Sequence, residues 1–387
     1  MKANPGGHID PKDLVGRDGL IGEYWRILDR QSLVLTSERR IGKTCVISKM
    51  HHEHQGDILT CFRDLEKART PLEFLDAVYE DVKTYLTGLK KIAARFQRIL
   101  TSLSGAEFKG LKLPATVAPH WKSLLSNLIE DLAEHQNHLV VFFWDEFPLF
   151  LHNIQQDKGP REAMELLDTL RSCRQMFPRL RMVFTGSIGI HNVITSLKRQ
   201  GYMNEPINDM AKEILPPLTN EDAKDLARRL IQGENIQTPN PEELAESIAE
   251  ASDGIPYYIH HFVDQMVKAG RNAQPEDVER IVSRALVSPT DIWDMRYYRR
   301  RIDLYYPLEE RPFALAILDA AAGTPASLSF PSLFSALKAR VPTEDQETAR
   351  LVLEKLLQDH YLVQETSGAY RFTFALIQRW WKLHRGI

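Results

Sequence analysis

Residues 32–44 have the sequence Ser-Leu-Val-Leu-Thr-Ser-Glu-Arg-Arg-Ile-Gly-Lys-Thr, and the largely apolar segment 45–50 follows them. This pattern predicts a short buried strand, then a loop, then a helix. Such a loop can bind phosphate, because its backbone N–H groups and the N-terminus of the helix point at the anion. At this spacing, Lys43 reaches the β and γ phosphates of a nucleotide, and the hydroxyl of Thr44 binds Mg²⁺.

The loop departs from the usual pattern GxxxxGK[ST] at its first position, where Ser37 occupies the place of a glycine. Serine adopts turn conformations less freely than glycine. The departure therefore weakens the case for ATP hydrolysis more than the case for ATP binding. An alternative is that the protein binds ATP as a structural ligand and hydrolyses it negligibly. The predicted nucleotide contacts are Ser37, Glu38, Arg39, Arg40, Ile41, Gly42, Lys43, Thr44 and Cys45.

A second stretch, residues 138–146, has the sequence His-Leu-Val-Val-Phe-Phe-Trp-Asp-Glu. An apolar run of this length predicts a strand buried on both faces of a parallel sheet. Ligands of such sheets bind beyond the carboxyl ends of the strands, so the two carboxylates face the ligand. We expect Asp145 to hold Mg²⁺ through water and Glu146 to act as the general base on the attacking water.

A third predicted strand, residues 181–185, is followed by Gly186 and Ser187. Polar groups at the end of this strand can contact the γ phosphate or the attacking water, which makes Thr185 or Ser187 a sensor candidate. An ordinary turn between a strand and a loop would explain the same residues equally well.

The first 215 residues alternate short apolar runs with longer amphipathic segments, which is typical of an α/β fold with a parallel sheet. A helix followed by an exposed insertion is predicted for residues 83–119. After Pro216 the pattern is helical only, and near the end three helices precede a hairpin, as in a winged helix. The predicted strands are 32–36, 58–63, 139–144, 181–185 and 213–215. The predicted domains are 1–217 (P-loop ATPase), 218–288 (helical lid) and 289–387 (winged helix).

Composition narrows the possible classes of function. The chain has 387 residues, a net charge of −3 and 43% hydrophobic residues, which is typical of a folded multidomain protein and exerts no general attraction on nucleic acid. Three scattered cysteines do not suggest disulfides or a zinc site. The histidines at 51, 52, 54, 260 and 261 lack convincing ligand spacing, so no metal besides Mg²⁺ is expected. The N-terminus lacks the features of a signal peptide, which suggests a cytoplasmic protein.

Taken together, four stretches resemble the archaeal-type ATPase family, in the STAND and initiator-like branch of the AAA+ P-loop ATPases. They are residues 14–18 (Leu-Val-Gly-Arg-Asp), the loop 39–44, residues 144–147 (Trp-Asp-Glu-Phe) and residues 253–256 (Asp-Gly-Ile-Pro). The resemblance implies that Val15, Gly16 and Arg17 line an adenine pocket and that the segment ending at Pro256 lets the lid approach the nucleotide. It also implies a C-terminal winged helix.

The motifs and the resemblance together predict an ATP-binding and ATP-hydrolysing switch that controls its own conformation and its association with a protein partner or another copy. Hydrolysis is expected to be slow without an arginine finger, for which Arg174 and Arg199 are candidates.

The alternative is a DNA-associated ATPase that grips duplex through the winged helix and the Arg296–Arg301 cluster. A linker helix that buries its tyrosines and solvates its arginines is the plainer interpretation of that cluster. The would-be recognition helix begins near three acidic residues, and residues 291–387 carry 13 Lys and Arg against 12 Asp and Glu. These charges favour a protein-binding winged helix, or nonspecific DNA contact made through the wing.

Overall fold

The computed structural model describes residues 1–54, 56–86, 115–135 and 138–387. The described part of the chain divides into two compact units. One unit comprises Arg17–Thr36 and Lys43–Leu215, and the other comprises Met1–Gly16, Ser37–Gly42 and Pro216–Ile387. Most of the predicted insertion at 83–119 lies outside the described residues.

A parallel sheet forms the centre of the first unit. Within the described ranges it has five strands in the order β2-β3-β4-β1-β5, and all neighbours are parallel. Each predicted strand is confirmed to within two residues at either end. The strands are β1 (Leu33–Thr36), β2 (Ile58–Asp64), β3 (Leu139–Asp145), β4 (Leu180–Phe184) and β5 (Ala211–Ile214).

Strand β3 lies between β2 and β4, and it is apolar on both faces, as expected in a parallel sheet whose two faces are covered by helices. Residues 140–144 of this strand are fully buried. The ring of Trp144 packs edge-on against Phe74, with 4.9 Å between ring centroids, and stacks on Phe142 at 5.2 Å. This aromatic packing fixes the end of the strand, where the two carboxylates follow.

Helices flank the sheet and complete the first unit. Helix α2 begins at the lysine of the phosphate loop, so its N-terminus follows directly from that loop. The helices of this unit are α1 (Asp18–Leu28), α2 (Lys43–His52), α3 (Pro71–Leu86), α4 (Trp121–His135), α5 (Phe147–Asp157), α6 (Pro160–Met176) and α7 (Ile190–Arg199), with a 3-10 helix at Ala115–His120.

The second unit continues as helices after Pro216, as the sequence predicts. Thr219 caps the first helix by accepting a hydrogen bond from the backbone N–H of Asp222, and Asn240 caps the next by accepting one from Glu243. Because such capping residues mark the N-terminus of a helix, the starts of these two helices can be predicted from the sequence. The helices are α8 (Asn220–Glu234), α9 (Pro241–Ala251), α10 (Pro256–Lys268) and α11 (Pro275–Leu286).

The same unit ends in five further helices and a hairpin within the described residues. Strands β6 (Leu362–Gln364) and β7 (Tyr370–Phe372) are antiparallel, and Leu328 forms a bridge with Tyr370. Three helices directly precede the hairpin, as predicted, and one more helix comes before them. The winged-helix assignment and the three-domain division stay predictions. The helices are α12 (Arg296–Tyr305), α13 (Arg311–Ala322), α14 (Phe330–Lys338), α15 (Gln346–Gln358) and α16 (Ala375–Arg385).

No helix in the described part of the chain has both the length and the apolar character needed to cross a membrane.

Candidate functional site

The carboxylate of Asp145 lies at the end of β3 and receives two threonine hydroxyls. Thr44, the second residue of α2, donates its hydroxyl to Oδ2 at 2.5 Å, and Thr185, which follows β4, donates its hydroxyl to Oδ1. Asp145 and Thr185 are almost completely buried. Three separate segments of the chain therefore meet at one buried carboxylate, as expected where the carboxyl ends of neighbouring strands share one edge of a sheet.

Glu146 takes an unusual backbone conformation directly after this carboxylate. Its φ is +53°, in the left-handed region that residues with a β-carbon seldom adopt. Its backbone N–H donates to Asp145 Oδ1 at 3.0 Å, which holds the turn in place. Such conformations cost about 1 to 3 kcal/mol and persist where the surroundings enforce them, often at functional sites.

The side chain of Glu146 is fixed by Ser187. The backbone N–H of Ser187 donates to Glu146 Oε2 at 3.0 Å, and its hydroxyl donates to the same oxygen at 2.8 Å. Burial raises the pKa of Glu146, while both Ser187 bonds oppose the rise, the charge of Asp145 adds to it and that of Lys43 opposes it. The two sensor candidates therefore have different neighbours: Thr185 binds Asp145, and Ser187 binds Glu146.

Gly186, between the two sensor candidates, allows this close arrangement. A β-carbon at this position would lie 2.7 Å from Cδ of Pro148, in the first turn of α5. Since side chains do not approach so closely, any larger residue would displace either the turn after β4 or the start of α5. The glycine thus lets the segment that carries Thr185 and Ser187 pack against the segment that carries Glu146.

The contacts of Ser187 predict a change in the pH dependence of hydrolysis. If Glu146 acts as a base, activity is present above its pKa and is lost as the pH falls through it. Because the Ser187 hydroxyl lowers that pKa, Ser187→Ala should raise it and move the acidic limb of the kcat profile to higher pH. Steady-state phosphate release measured from pH 5 to 9 tests this, and an unmoved limb in the variant would contradict the assignment.

The phosphate-loop segment Ser37–Gly42 belongs to the unit that contains the C-terminal helices. Within it, Arg40 and Gly42 have φ values of +70° and +103°, whereas Ser37 does not appear among the described residues with positive φ. The position that lacks the usual glycine therefore does not require one. Adjacent backbone N–H groups in alternating conformations of this kind form concavities suited to anions.

Several other residues predicted to contact the nucleotide are buried. Ile41, Lys43 and Val15 are buried, and burial, with the charge of Asp145 adding to it, raises the pKa of the Cys45 thiol. Their contact with a nucleotide, like that of the other predicted residues, stays a prediction.

Residues of the predicted adenine pocket and lid show close backbone packing. Gly16 has a φ of +69°, and a β-carbon there would lie 2.4 Å from Cγ of Asp222. Gly254 has a φ of +67°, and its β-carbon would lie 2.5 Å from the carbonyl oxygen of Leu218. Pro256 is the first residue of α10, and Arg17 precedes α1 and is buried. These positions explain the two glycines structurally, without assigning them a ligand.

The structure corrects one arginine-finger candidate. The side chain of Arg174 is buried, and its guanidinium donates two hydrogen bonds of 2.9 Å to Asp209 and one of 2.7 Å to the carbonyl of Pro206. A side chain held in this way supports its own unit and cannot reach a nucleotide on another molecule. Arg199 is exposed at the end of α7 and stays the candidate.

The proposed DNA-binding cluster is also corrected in part. Arg296 and Arg300 of α12 are exposed, but Arg301 is buried between the carboxylates of Glu38 and Asp359 and is not available to bind DNA. Tyr298 is buried as well. The sequence could not separate these positions, because Arg301 is the last member of a continuous basic run and nothing nearby in the chain indicates its burial.

The donors at the end of β3 suit Mg²⁺ better than a transition metal. Hydroxyl and carboxylate oxygens are hard ligands, and Mg²⁺ in nucleotide sites is held by one or two such groups together with phosphates and water. Thr44 and Asp145 place one hydroxyl oxygen and one carboxylate oxygen within hydrogen-bonding distance of each other, and their binding of Mg²⁺ stays a prediction. Among the residues that the structure describes, no three or more His, Cys, Asp or Glu side chains form a metal-binding group.

Comparisons with solved structures support the fold assignment. A Walker-type ATPase of Pyrococcus abyssi is 18% identical, with a TM-score of 0.63 over 96% of this chain and 97% of that one. The ORC2 protein of Aeropyrum pernix, in its ADPNP–ADP complexes, is 14% identical, with a TM-score of 0.57 over 99% and 98%. No protein-family model matches the chain, and no curated protein matches it. The chain therefore shares the fold of these two proteins, and the predicted resemblance is confirmed at the level of the fold.

Proposed function

We propose that this protein is a switch that binds Mg·ATP and hydrolyses it slowly, changing its conformation and its association with a protein partner or a second copy. The observation that carries the proposal is the meeting of Thr44, Asp145 and Thr185 at one buried carboxylate, with Glu146 adjacent. In this arrangement the helix start after the phosphate loop and the acidic end of β3 belong to a single site. A solvated acidic turn would not need either threonine.

Thr44 and Asp145 would hold Mg²⁺, which in such sites neutralises charge on the transferring phosphoryl group. Lys43, at the N-terminus of α2, would bind the β and γ phosphates, where the helix dipole also favours an anion. Thr185 positions the Asp145 carboxylate by binding its other oxygen. These roles need no movement of the backbone of β3.

Glu146 would accept a proton from the attacking water. Burial raises the pKa of its carboxyl and makes the ionised form a stronger base than an exposed glutamate. Both Ser187 bonds fall on Oε2, so they orient the carboxylate and leave Oε1 as the oxygen to which water donates. Ser187 therefore acts through Glu146, as a positioning residue.

The parts assigned to switching are the predicted lid at 218–288 and the predicted winged helix at 289–387. A nucleotide can shift a conformational equilibrium only by binding one state more tightly than another. The burial of Arg301 weakens the case for DNA, so we favour a protein partner or self-association.

Asp145→Asn provides a direct test of the Mg²⁺ role. The amide keeps the size of the side chain but lacks the negative charge that holds the hydrated Mg²⁺, so we expect hydrolysis to fall by about 100-fold or more and the Mg²⁺ dependence of ATP affinity to disappear. The measurements are phosphate release and ATP titrations with Mg²⁺ and with EDTA.

Asp64→Asn is the matched control, because Asp64 ends β2 directly beside Asp145 in the sheet and is exposed. It should leave both quantities within about twofold of the wild type. Equal losses in the two variants would argue against a specific magnesium ligand.

A further inference from the structure

The phosphate loop contains a buried acidic side chain that faces away from solvent. Glu38, the second residue of the loop, is 2% exposed. Its Oε1 accepts a hydrogen bond of 2.7 Å from the backbone N–H of Arg39 and one of 3.1 Å from Nη1 of Arg301, on α12. A carboxylate is costly to bury unless it is paired and hydrogen-bonded, and these two contacts hold the Glu38 side chain in position.

Arg301 is held on its other side by a second carboxylate. Its Nη2 donates to Oδ1 of Asp359 at 2.9 Å, and the hydroxyl of Tyr306 donates to Oδ2 of the same residue at 2.8 Å. Its guanidinium carbon lies 5.3 Å from the ring centroid of Tyr361. Arg301 therefore joins the loop, helix α12 and the residue that follows α15.

The next two residues of the loop are attached to the same part of the chain. Arg39 and Arg40 both donate to Oδ2 of Asp294, just before α12. The guanidinium carbon of Arg39 lies 4.2 Å from the centroid of Tyr297, and that of Arg40 lies 4.4 Å from the centroid of Tyr257. Three consecutive loop side chains are thus held by residues outside the sheet unit.

These contacts explain how the loop keeps a strained conformation. Arg40 has a φ of +70°, which a residue with a β-carbon maintains only where its surroundings enforce it. Its neighbours on the N-terminal side, Glu38 and Arg39, are fixed by Arg301 and Asp294. The orientation of the loop N–H groups, which is what a phosphate would recognise, then depends on residues at and around α12.

We propose that Arg301 is a positioning residue for the phosphate loop, so that the C-terminal segment carrying it sets the affinity of the loop for ATP. This inference rests on the proposed function. Arg301 acts in two ways. It holds the loop backbone through Glu38, and it neutralises a carboxylate that would otherwise lie among groups that bind phosphate.

Arg301→Met tests the proposal in the full-length protein. The variant removes the positive charge that pairs with Glu38 and Asp359, and it should weaken ATP binding at least about tenfold. Hydrogen exchange of the peptide that covers residues 37–42 should accelerate at least about tenfold in the nucleotide-free protein. Arg301→Lys keeps the charge, so its ATP affinity and its exchange at residues 37–42 should lie between those of the wild type and of Arg301→Met. This variant keeps the proposal testable if Arg301→Met does not fold.

Lys355→Met is the matched control. Lys355 is a buried cation in α15 whose ammonium binds Glu310 at 2.5 Å, so its loss breaks a buried ion pair in the same unit. It should reduce the unfolding temperature but leave ATP affinity and the exchange of residues 37–42 within about twofold of the wild type.

The double variant Glu38→Gln/Arg301→Met separates positioning from general damage. If the negative charge of Glu38 causes much of the loss, adding Glu38→Gln should recover ATP affinity by severalfold, whereas damage to the fold would only accumulate. Equal effects of Arg301→Met and Lys355→Met on affinity and exchange would overturn the proposal. If wild-type protein binds no ATP, the proposed function fails, but the exchange of residues 37–42 still decides whether Arg301 holds the loop.

Discussion

Glu146→Gln should reduce the rate of ATP hydrolysis by about 100-fold to 10,000-fold while ATP binding is kept, because general base catalysis contributes a factor of this size. The amide is nearly isosteric with the carboxylate and can still accept the Ser187 hydrogen bonds, but it cannot take a proton from water. Single-turnover phosphate release and equilibrium binding of ATP, measured on the same preparation, separate the two effects.

The same variant provides its own control for folding. Since burial raises the pKa of Glu146, ionisation of this side chain is costly in the folded protein, and replacing it with a neutral amide should not reduce the unfolding temperature. A variant with wild-type turnover would show that Glu146 is not the base, and a variant that had lost ATP binding as well would point to a structural role.

Lys43→Ala should weaken ATP binding by about 10-fold to 100-fold or more, since hydrogen bonds to charged groups contribute about 1.5 to 3 kcal/mol each. Lys43 is almost buried at the start of α2, and its charge lowers the pKa of Glu146. Titration with ATP, followed by calorimetry or a fluorescent analogue, measures the loss.

Lys49→Ala is the matched control for this variant. Lys49 lies on the same helix, and its ammonium is paired with Asp18 at 3.0 Å and Glu53 at 3.6 Å. Loss of these two ion pairs, whose carboxylates are exposed, should reduce the free energy of unfolding by less than about 1 kcal/mol and leave ATP affinity unchanged. If both lysine variants bound ATP as the wild type does, the phosphate loop would not be a nucleotide site.

Much of the fold could be predicted because the strands β1, β3 and β4 are buried on both faces. The apolar run that forms β3 has a single plausible structure, and the capping residues Thr219 and Asn240 mark the helix starts that follow the sheet. Strand ends were harder to predict, since β5 alternates between half-buried and exposed side chains and has a weak apolar signal.

The candidate site could be predicted as a set of strand ends but not as a set of contacts. The sequence makes Thr185 and Ser187 equivalent sensor candidates. In the structure, Thr185 binds Asp145 and Ser187 binds Glu146. That distinction depends on the left-handed turn at Glu146, which no local pattern indicates for a glutamate. That Asp64 lies beside Asp145 in the sheet could not be predicted either, because it depends on the register of β2 and β3.

The contact between Glu38 and Arg301 could not have been found from the sequence. The two residues are separated by 263 positions, and each lies in a charged stretch that is typical of a surface. Burial of both was decided by the packing of α12 and the end of α15, which is a property of the tertiary structure. Runs of like charge are therefore weak evidence for a binding surface when the packing of their helix is unknown.

The central claim is most directly tested by measuring Mg²⁺-dependent ATP binding and phosphate release with the purified wild-type chain. We predict saturable binding of ATP that is strengthened by Mg²⁺, together with slow release of phosphate that stops when Mg²⁺ is chelated. Failure of the wild-type protein to bind ATP in the presence of Mg²⁺ would contradict the account, because the arrangement of Thr44, Asp145 and Glu146 would then have no nucleotide to act on.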